Sequence, residues 1–252
     1  MEIHYGTFED SWFGFEPMLM RLIAERNVRH ICEIGGGANP ALPLDYLSQR
    51  GIEYTVLDIS KEELAKAPDG YHKLHQDILS PALAVHDRFD LVFSRMVAEH
   101  VNDARRFHGN VHRLLRAGGT AFHYFPTLMA VPFVANKVLA GPVSRWLLTM
   151  VQGEREQNGR HAKFPAYYKW CRGPIPRQIG RLQRLGYLVD AYHGFFGHTY
   201  YARVKPLYEI HRALTRMLIR HPVPAMTTYA YLVMRKVTAP YAETARANGS
   251  PP

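Results

Sequence analysis

The chain has 252 residues, 47% of them hydrophobic and 21% charged, enough for one large domain with a substantial core and too apolar for a disordered chain. Its two cysteines, Cys32 and Cys171, exclude a disulfide scaffold and a cysteine-based zinc site. The formal charge of +9 is lopsided: residues 1–126 hold 13 Lys or Arg against 17 Asp or Glu, whereas residues 127–252 hold 18 against 5.

A second half this basic points to an anionic partner, whether nucleic acid, a phospholipid surface or a phosphorylated substrate; the plainer alternative is a solvated basic face. The longest apolar stretch, Leu128 to Val151, is interrupted by Pro132, Lys137, Pro142 and Arg145, so no segment reads as a transmembrane helix. Met1 to Phe8 carries Glu2, His4 and Tyr5 with no basic run ahead of an apolar one, unlike a secretory signal, and a cytoplasmic location is expected.

In chain order, Phe8 to Glu25 reads as a helix with an aromatic opening at Trp12, Phe13 and Phe15, in a helical cap over residues 1–28. Strands are predicted at Arg29–Ile34, Glu53–Ile59, His72–Ile78, Phe89–Ser94 and Thr120–Phe125. Between them lie helices at Ala41–Gln49, Lys61–Ala67 and Asp103–Arg116, the last with Phe107, Val111, Leu114 and Leu115 at helical spacing before Gly118 and Gly119. This alternation over 29–126 is how a parallel sheet with crossover helices reads.

From residue 127 to 173 the alternation stops, for too long to be an ordinary loop, and an inserted lid or acceptor-recognition segment is expected. A helix over Pro174–Leu185, a strand over Tyr187–Tyr192, a basic helix over Arg203–Arg220 and a strand over Thr228–Val237 complete a C-terminal part, 174–238. Residues 239–252 read as a disordered tail.

The most informative segment is Ile31-Cys32-Glu33-Ile34-Gly35-Gly36-Gly37-Ala38-Asn39-Pro40, a buried strand running into a glycine turn and a helix. Such a turn lets backbone approach a nucleotide cofactor closely. Glu33 sits inside the strand end, where a dinucleotide fold has no need of a carboxylate, and Pro40 stands where the G-x-G-x-x-G fingerprint wants a small residue. The second element, Tyr54-Thr55-Val56-Leu57-Asp58, ends in an acid able to accept both hydroxyls of a ribose, or else to cap the next helix.

These residues resemble the class I S-adenosylmethionine-dependent methyltransferases. The likeness spans about residues 29–126 through Glu33-Ile34-Gly35-Gly36-Gly37, Leu57-Asp58, Gln76-Asp77-Ile78, Phe89 to Ser94 with Glu99-His100-Val101, and Leu114 to Thr120, in the family's order. It implies an α/β fold, a seven-stranded, mostly parallel sheet with helices on both faces and an antiparallel last strand, here with helical insertions after strands 5 and 6. It implies S-adenosylmethionine as cofactor. Glu33, Gly35, Gly36 and Gly37 would hold its methionine end, Asp58 and Ile59 the ribose, and Asp77 and Ile78 the adenine, with Ser94, Arg95 and Met96 lining the cleft.

Methyl transfer from a sulfonium needs alignment of the acceptor and a group to receive its proton, and proximity alone can lower a barrier by roughly 7–11 kcal/mol. Two histidines are the candidate bases: His100, which follows the fourth strand, and His161 in the insertion. Lys163, Tyr167, Tyr168, Trp170 and Arg172 interleave cations and aromatics and are the candidate acceptor-binding residues; a small insertion core would explain them too. His123 reads as core packing. His108 and His112 share a helix face with no third ligand near in sequence, so surface placement is expected of them and no metal.

The expected activity is O-methylation of a small molecule, a glycan or a lipid-linked, phosphate-bearing acceptor. The alternative is a nucleic-acid methyltransferase or binder using Arg172, Arg177, Arg181 and Arg184, although Ser94-Arg95-Met96-Val97 lacks a base amino-methylation motif. Peripheral contact with the inner membrane surface through Leu128–Val151 is a third reading.

Overall fold

The computed structural model describes residues 1–128, 165–199 and 205–237. In the first half, β1 (Tyr5–Thr7) leads straight into α1 (Phe8–Phe13) and α2 (Phe15–Glu25); then follow β2 (His30–Ile34), α3 (Leu44–Arg50), β3 (Glu53–Asp58), α4 (Lys61–Lys66) and β4 (His72–His75). Next come β5 (Phe89–Arg95), a 3₁₀ turn (Ala98–His100), α5 (Ala104–Leu114) and β6 (Leu115–Pro126). The remainder supplies α6 (Pro176–Gln183), β7 (Tyr187–Phe196), α7 (Lys205–Arg220) and β8 (Tyr229–Lys236).

The sheet order is β1-β7-β8-β6-β5-β2-β3-β4. Among the described strands only β8 runs antiparallel to its neighbours, between β6 and β7. Among the described residues eight strands stand where seven were expected. The extra one, β1, pairs parallel with β7 through Tyr5 opposite Gly194 and Thr7 opposite Phe196, and three residues are too short a run for alternation to show. Thr7 then closes a capping box with Asp10: the Asp10 amide donates to Thr7 Oγ1 at 3.2 Å and the Thr7 amide to Asp10 Oδ2 at 2.7 Å.

Other boundaries move as well, β7 running on from the expected Tyr192 to Phe196. The N-terminal helix breaks at Gly14, which ends α1 and starts α2. Helix α5 stops at Leu114, and Leu115–Gly119 joins the sheet as a bulge, Leu115 facing Phe89 and Thr120 facing Leu91; Gly118 absorbs the bend at φ +73°. β4 ends at His75, which leaves Asp77 and Ile78 in the turn beyond it.

Alternation along β5 and β6 sends side chains to two cores. Leu91, Phe93, Phe122 and Tyr124 meet Phe15, Leu19 and Leu22 of α2, while Val92 and Ala121 meet Phe107, Val111 and Leu114 of α5 and Leu182 of α6. With both faces covered, the exposed carboxyl ends of the parallel strands are where a ligand can reach the sheet. At that edge the long excursion closes on itself, the Leu128 amide donating to the Cys171 carbonyl at 3.0 Å. The insertion between, 129–164, and the tail lie outside the described residues.

Candidate active site

A cleft of about 450 Å³ opens at the carboxyl ends of β2, β3 and β5 and beside the turn after β4. Gly35, Asp58, Ile59, Asp77, Ile78 and Met96 line it, together with His100 and Tyr167. Thus residues far apart in sequence meet around one hollow, because parallel strands end on the same side.

Gly35 makes the floor. Its φ is +79°, its amide donates to the Leu57 carbonyl at 2.7 Å, and a Cβ there would sit 2.5 Å from Val97 Cγ2. Only glycine meets both demands. Asp58 is held at the end of β3 with Oδ1 accepting the Ser60 amide at 2.8 Å; Asp77 Oδ1 accepts the Leu79 amide at 2.7 Å, presenting Ile78 and Leu79 to the cleft. Met96 adopts φ +56°, a strained left-handed conformation for a long side chain, fixed by its amide's 2.8 Å bond to the Tyr124 carbonyl.

Five of the expected cofactor residues do not line this cleft. Glu33 is only 4% exposed, and its Oε2 accepts from Tyr54 Oη at 2.6 Å and from the Ala41 amide at 3.0 Å. Burial pushes its carboxyl up to about 7, against the opposing pull of those two bonds. It braces the turn from behind, with Gly36 pressed so close that a Cβ would stand 2.6 Å from Glu33 Oε2. Gly37, at φ +46°, backs onto Asp58, whose Oδ2 would lie 3.3 Å from a Cβ there. Ser94 Oγ lies 2.8 Å from His123 Nδ1 inside the core, and Arg95 stacks over Trp12 and Phe15 at 4.6 and 5.2 Å.

Of the expected acceptor residues among those described, Tyr167 alone reaches the cleft; its amide and that of Tyr168 both donate to the Glu99 carbonyl, at 2.7 and 3.0 Å. Tyr168 packs against the core, Trp170 stacks on His108 at 6.0 Å, and Arg172 donates to the carbonyls of Tyr168 and Cys171. Both Tyr168 and Trp170 hold positive φ, +51° and +62°. His161 and Lys163 lie outside the described residues.

His100 is exposed at the cleft, with Nδ1 3.1 Å from the Pro165 carbonyl and Nε2 3.8 Å from Glu99 Oε1. Glu99 had no assigned role in the sequence reading. It is 3% exposed with no hydrogen-bond partner at Oε2 among the described residues, and burial pushes its carboxyl up to about 8. Its signals in sequence are adjacency to His100 and its place in the Glu99-His100-Val101 segment of the resemblance. His123 sits wholly in the core, as expected of a strand residue; His108, expected at the surface, is instead 3% exposed because its ring packs on His123 and Trp170, and burial holds it down at about 3 and lowers His112 as well. No group of three or more candidate metal ligands occurs among the described residues.

The residues fit an adenosyl sulfonium. A left-handed glycine allows close backbone approach, a strand-end carboxylate faces the cleft for a ribose, and the Ile78–Leu79 turn offers apolar surface for a base. Residues 33–123 match the model of the methyltransferase domain family. The fold matches an S-adenosylmethionine-dependent methyltransferase from Mesorhizobium loti (18% identity, 83% of this chain and 91% of that one, TM-score 0.52). It also matches phosphoethanolamine N-methyltransferase 2 of Haemonchus contortus in complex with S-adenosylmethionine (13%, 88% and 53%, 0.51). A third match is the [4+2]-cyclase SpnF (17%, 94% and 87%, 0.52). No curated protein matches the sequence.

The chain therefore carries a class I, Rossmann-like methyltransferase fold with its ligand cleft at the strand ends. Residues 33–123 carry a methyltransferase domain, in a fold shared with S-adenosylmethionine-dependent methyltransferases.

Proposed function

We propose that the protein methylates a hydroxyl of a small molecule, a glycan or a lipid-linked acceptor, and that His100 takes the proton. The observation that carries this reading is the imidazole of His100 at the cleft, tethered to the Pro165 carbonyl and backed by the buried Glu99 carboxyl at 3.8 Å. S-adenosylmethionine supplies a methyl group already activated on a sulfonium. What remains for the chain is to hold and align both partners and to accept a proton, which an imidazole does well near neutral pH.

In this reading Gly35 and its turn take the methionine end, Asp58 and Ile59 the ribose, and Asp77 and Ile78 the adenine, with Met96 beneath the transferring carbon. Glu33, Gly36 and Gly37 act at one remove by fixing the turn. Tyr167 borders the acceptor's side of the cleft, and the segment from 129 to 164, with His161 and Lys163, is proposed to complete acceptor recognition. Contact with an anionic membrane surface is a further proposal; no helix among the described residues is long and apolar enough to cross a membrane.

The test is transfer of labelled methyl from the cofactor to a panel of hydroxyl acceptors, with nucleic acids in parallel. Conversion of a hydroxyl acceptor, with kcat lowered about 10²–10⁴-fold in His100→Ala and cofactor affinity kept, is the expected result. Labelling confined to RNA or DNA, or His100→Ala retaining most of kcat, would overturn it.

A further inference from the structure

Away from the cofactor cleft, a groove of about 380 Å³ lies between α5 and α6. Arg105 lines it from the first turn of α5, and Arg177, Arg181 and Arg184 line it from α6 and the residue after it, beside Trp170 and Leu185. Spacings of four and three put the three arginines on one helical face. Arg181 stands 5.4 Å over the Trp170 ring and is steadied by Gln178 Oε1 at 3.5 Å; Arg184 Nε donates to the Gly180 carbonyl at 3.0 Å.

None of the four arginines pairs with a carboxylate among the described residues. Other surface arginines of this protein do: Arg26 and Arg235 share Asp190, Arg116 meets Asp90 and Arg88 meets Glu53. Four like charges around one hollow repel until an anion enters. A guanidinium offers paired donors that match two oxygens of a phosphoryl group, which a lysine cannot. The volume suits a small molecule, at the lower end of the usual range of about 300–1,000 Å³.

We infer that this groove binds a diphosphate or similarly multi-charged phosphoryl group of a small molecule, with Trp170 giving the organic part an apolar surface. The segment carrying Trp170 also places Tyr167 in the cofactor cleft, so the two hollows flank one stretch of chain. The inference does not depend on which atom the enzyme methylates.

The experiment is calorimetric titration of the full chain with inorganic pyrophosphate at low ionic strength. Wild type should bind with a Kd below about 1 mM, and Arg177→Gln/Arg181→Gln should weaken binding about tenfold or more, the scale of losing charge-assisted bonds. Arg105→Gln, made on the other helix, should weaken it in the same direction. Arg212→Gln/Arg216→Gln on α7 removes as much charge elsewhere and should leave pyrophosphate affinity unchanged. S-adenosylmethionine affinity and melting temperature serve as controls for folding. Absence of wild-type binding, or equal losses in the α7 variant, would overturn the inference. So would a single-stranded oligonucleotide that binds through the same arginines more tightly than pyrophosphate and with a steep salt dependence, since the groove would then serve nucleic acid.

Discussion

Glu99 Oε1 lies 3.8 Å from Nε2 of His100, the carboxyl buried and the imidazole exposed at the cleft. The pair therefore joins the core to the site, and its ionisation has a cost. Burial raises the folded pKa of Glu99 to about 8, well above the unfolded value of about 4.3. Between those limits the folded state binds more protons than the unfolded state, so stability falls as pH rises from about 5 through 8.

Glu99→Gln should flatten that slope. The variant should melt lower than or close to wild type at pH 5 and gain on it steadily towards pH 9, as read by thermal unfolding at each pH. A wild type whose melting temperature climbs across the same window, with no difference from the variant, would show that Glu99 does not titrate as its burial dictates.

At the acid end the sign reverses. Burial holds His108 at about 3 and keeps His123 well below its ordinary value, so the unfolded state binds more protons once pH drops below about 6.5. His108→Gln should shift the acid unfolding midpoint downward in a circular-dichroism titration; an upward shift would mean that the ring's packing against Trp170 and His123 outweighs its titration.

The glycine floor makes a sharper demand. Gly35→Ala must place a Cβ 2.5 Å from Val97 Cγ2 while holding φ near +79°. Cofactor affinity should fall by an order of magnitude or more, since left-handed backbone costs a non-glycine residue about 1–2 kcal/mol before the clash is counted. Gly35→Ala/Val97→Ala removes the clash and leaves the backbone cost, so it should recover part of the loss. Full recovery would show that steric room alone, and not backbone conformation, makes glycine necessary.

Asp58→Ala tests the strand-end carboxylate. Loss of charge-assisted bonds to a ribose should weaken S-adenosylmethionine binding by about tenfold or more, and Asp58→Asn should restore part of it. Unchanged calorimetric affinity in the alanine variant would remove Asp58 from the ribose.

The bond from the Leu128 amide to the Cys171 carbonyl brings the ends of the excursion together before the segment from 129 to 164 is reached. Replacing that segment by a short Gly-Ser linker, with Pro165–Gly173 kept, should leave melting temperature and cofactor affinity nearly intact while abolishing methylation of the acceptor. A linker variant with full turnover would show the segment to be dispensable.

What the sequence by itself determined was local. The glycine turn declares itself because a left-handed φ and the lack of space for a Cβ are met by one residue type, and Asp58 because an apolar run ending in an acid marks a strand's end. The alternation of strand and helix over 29–126 follows from periodicity; the antiparallel last strand, β8, was implied by the resemblance alone. Tertiary structure decided the rest. Successive residues on a strand point to opposite faces, so at the end of β5 Ser94 turns to His123 and Arg95 to Trp12, while Met96, just past the strand at φ +56°, leaves that alternation and lines the cleft. Burial of Glu99, the meeting of Trp170 with Arg181, and the pairing of β1 with β7 join segments distant in the chain. No spacing within any one segment encodes such contacts, because each depends on where the sheet carries its partner.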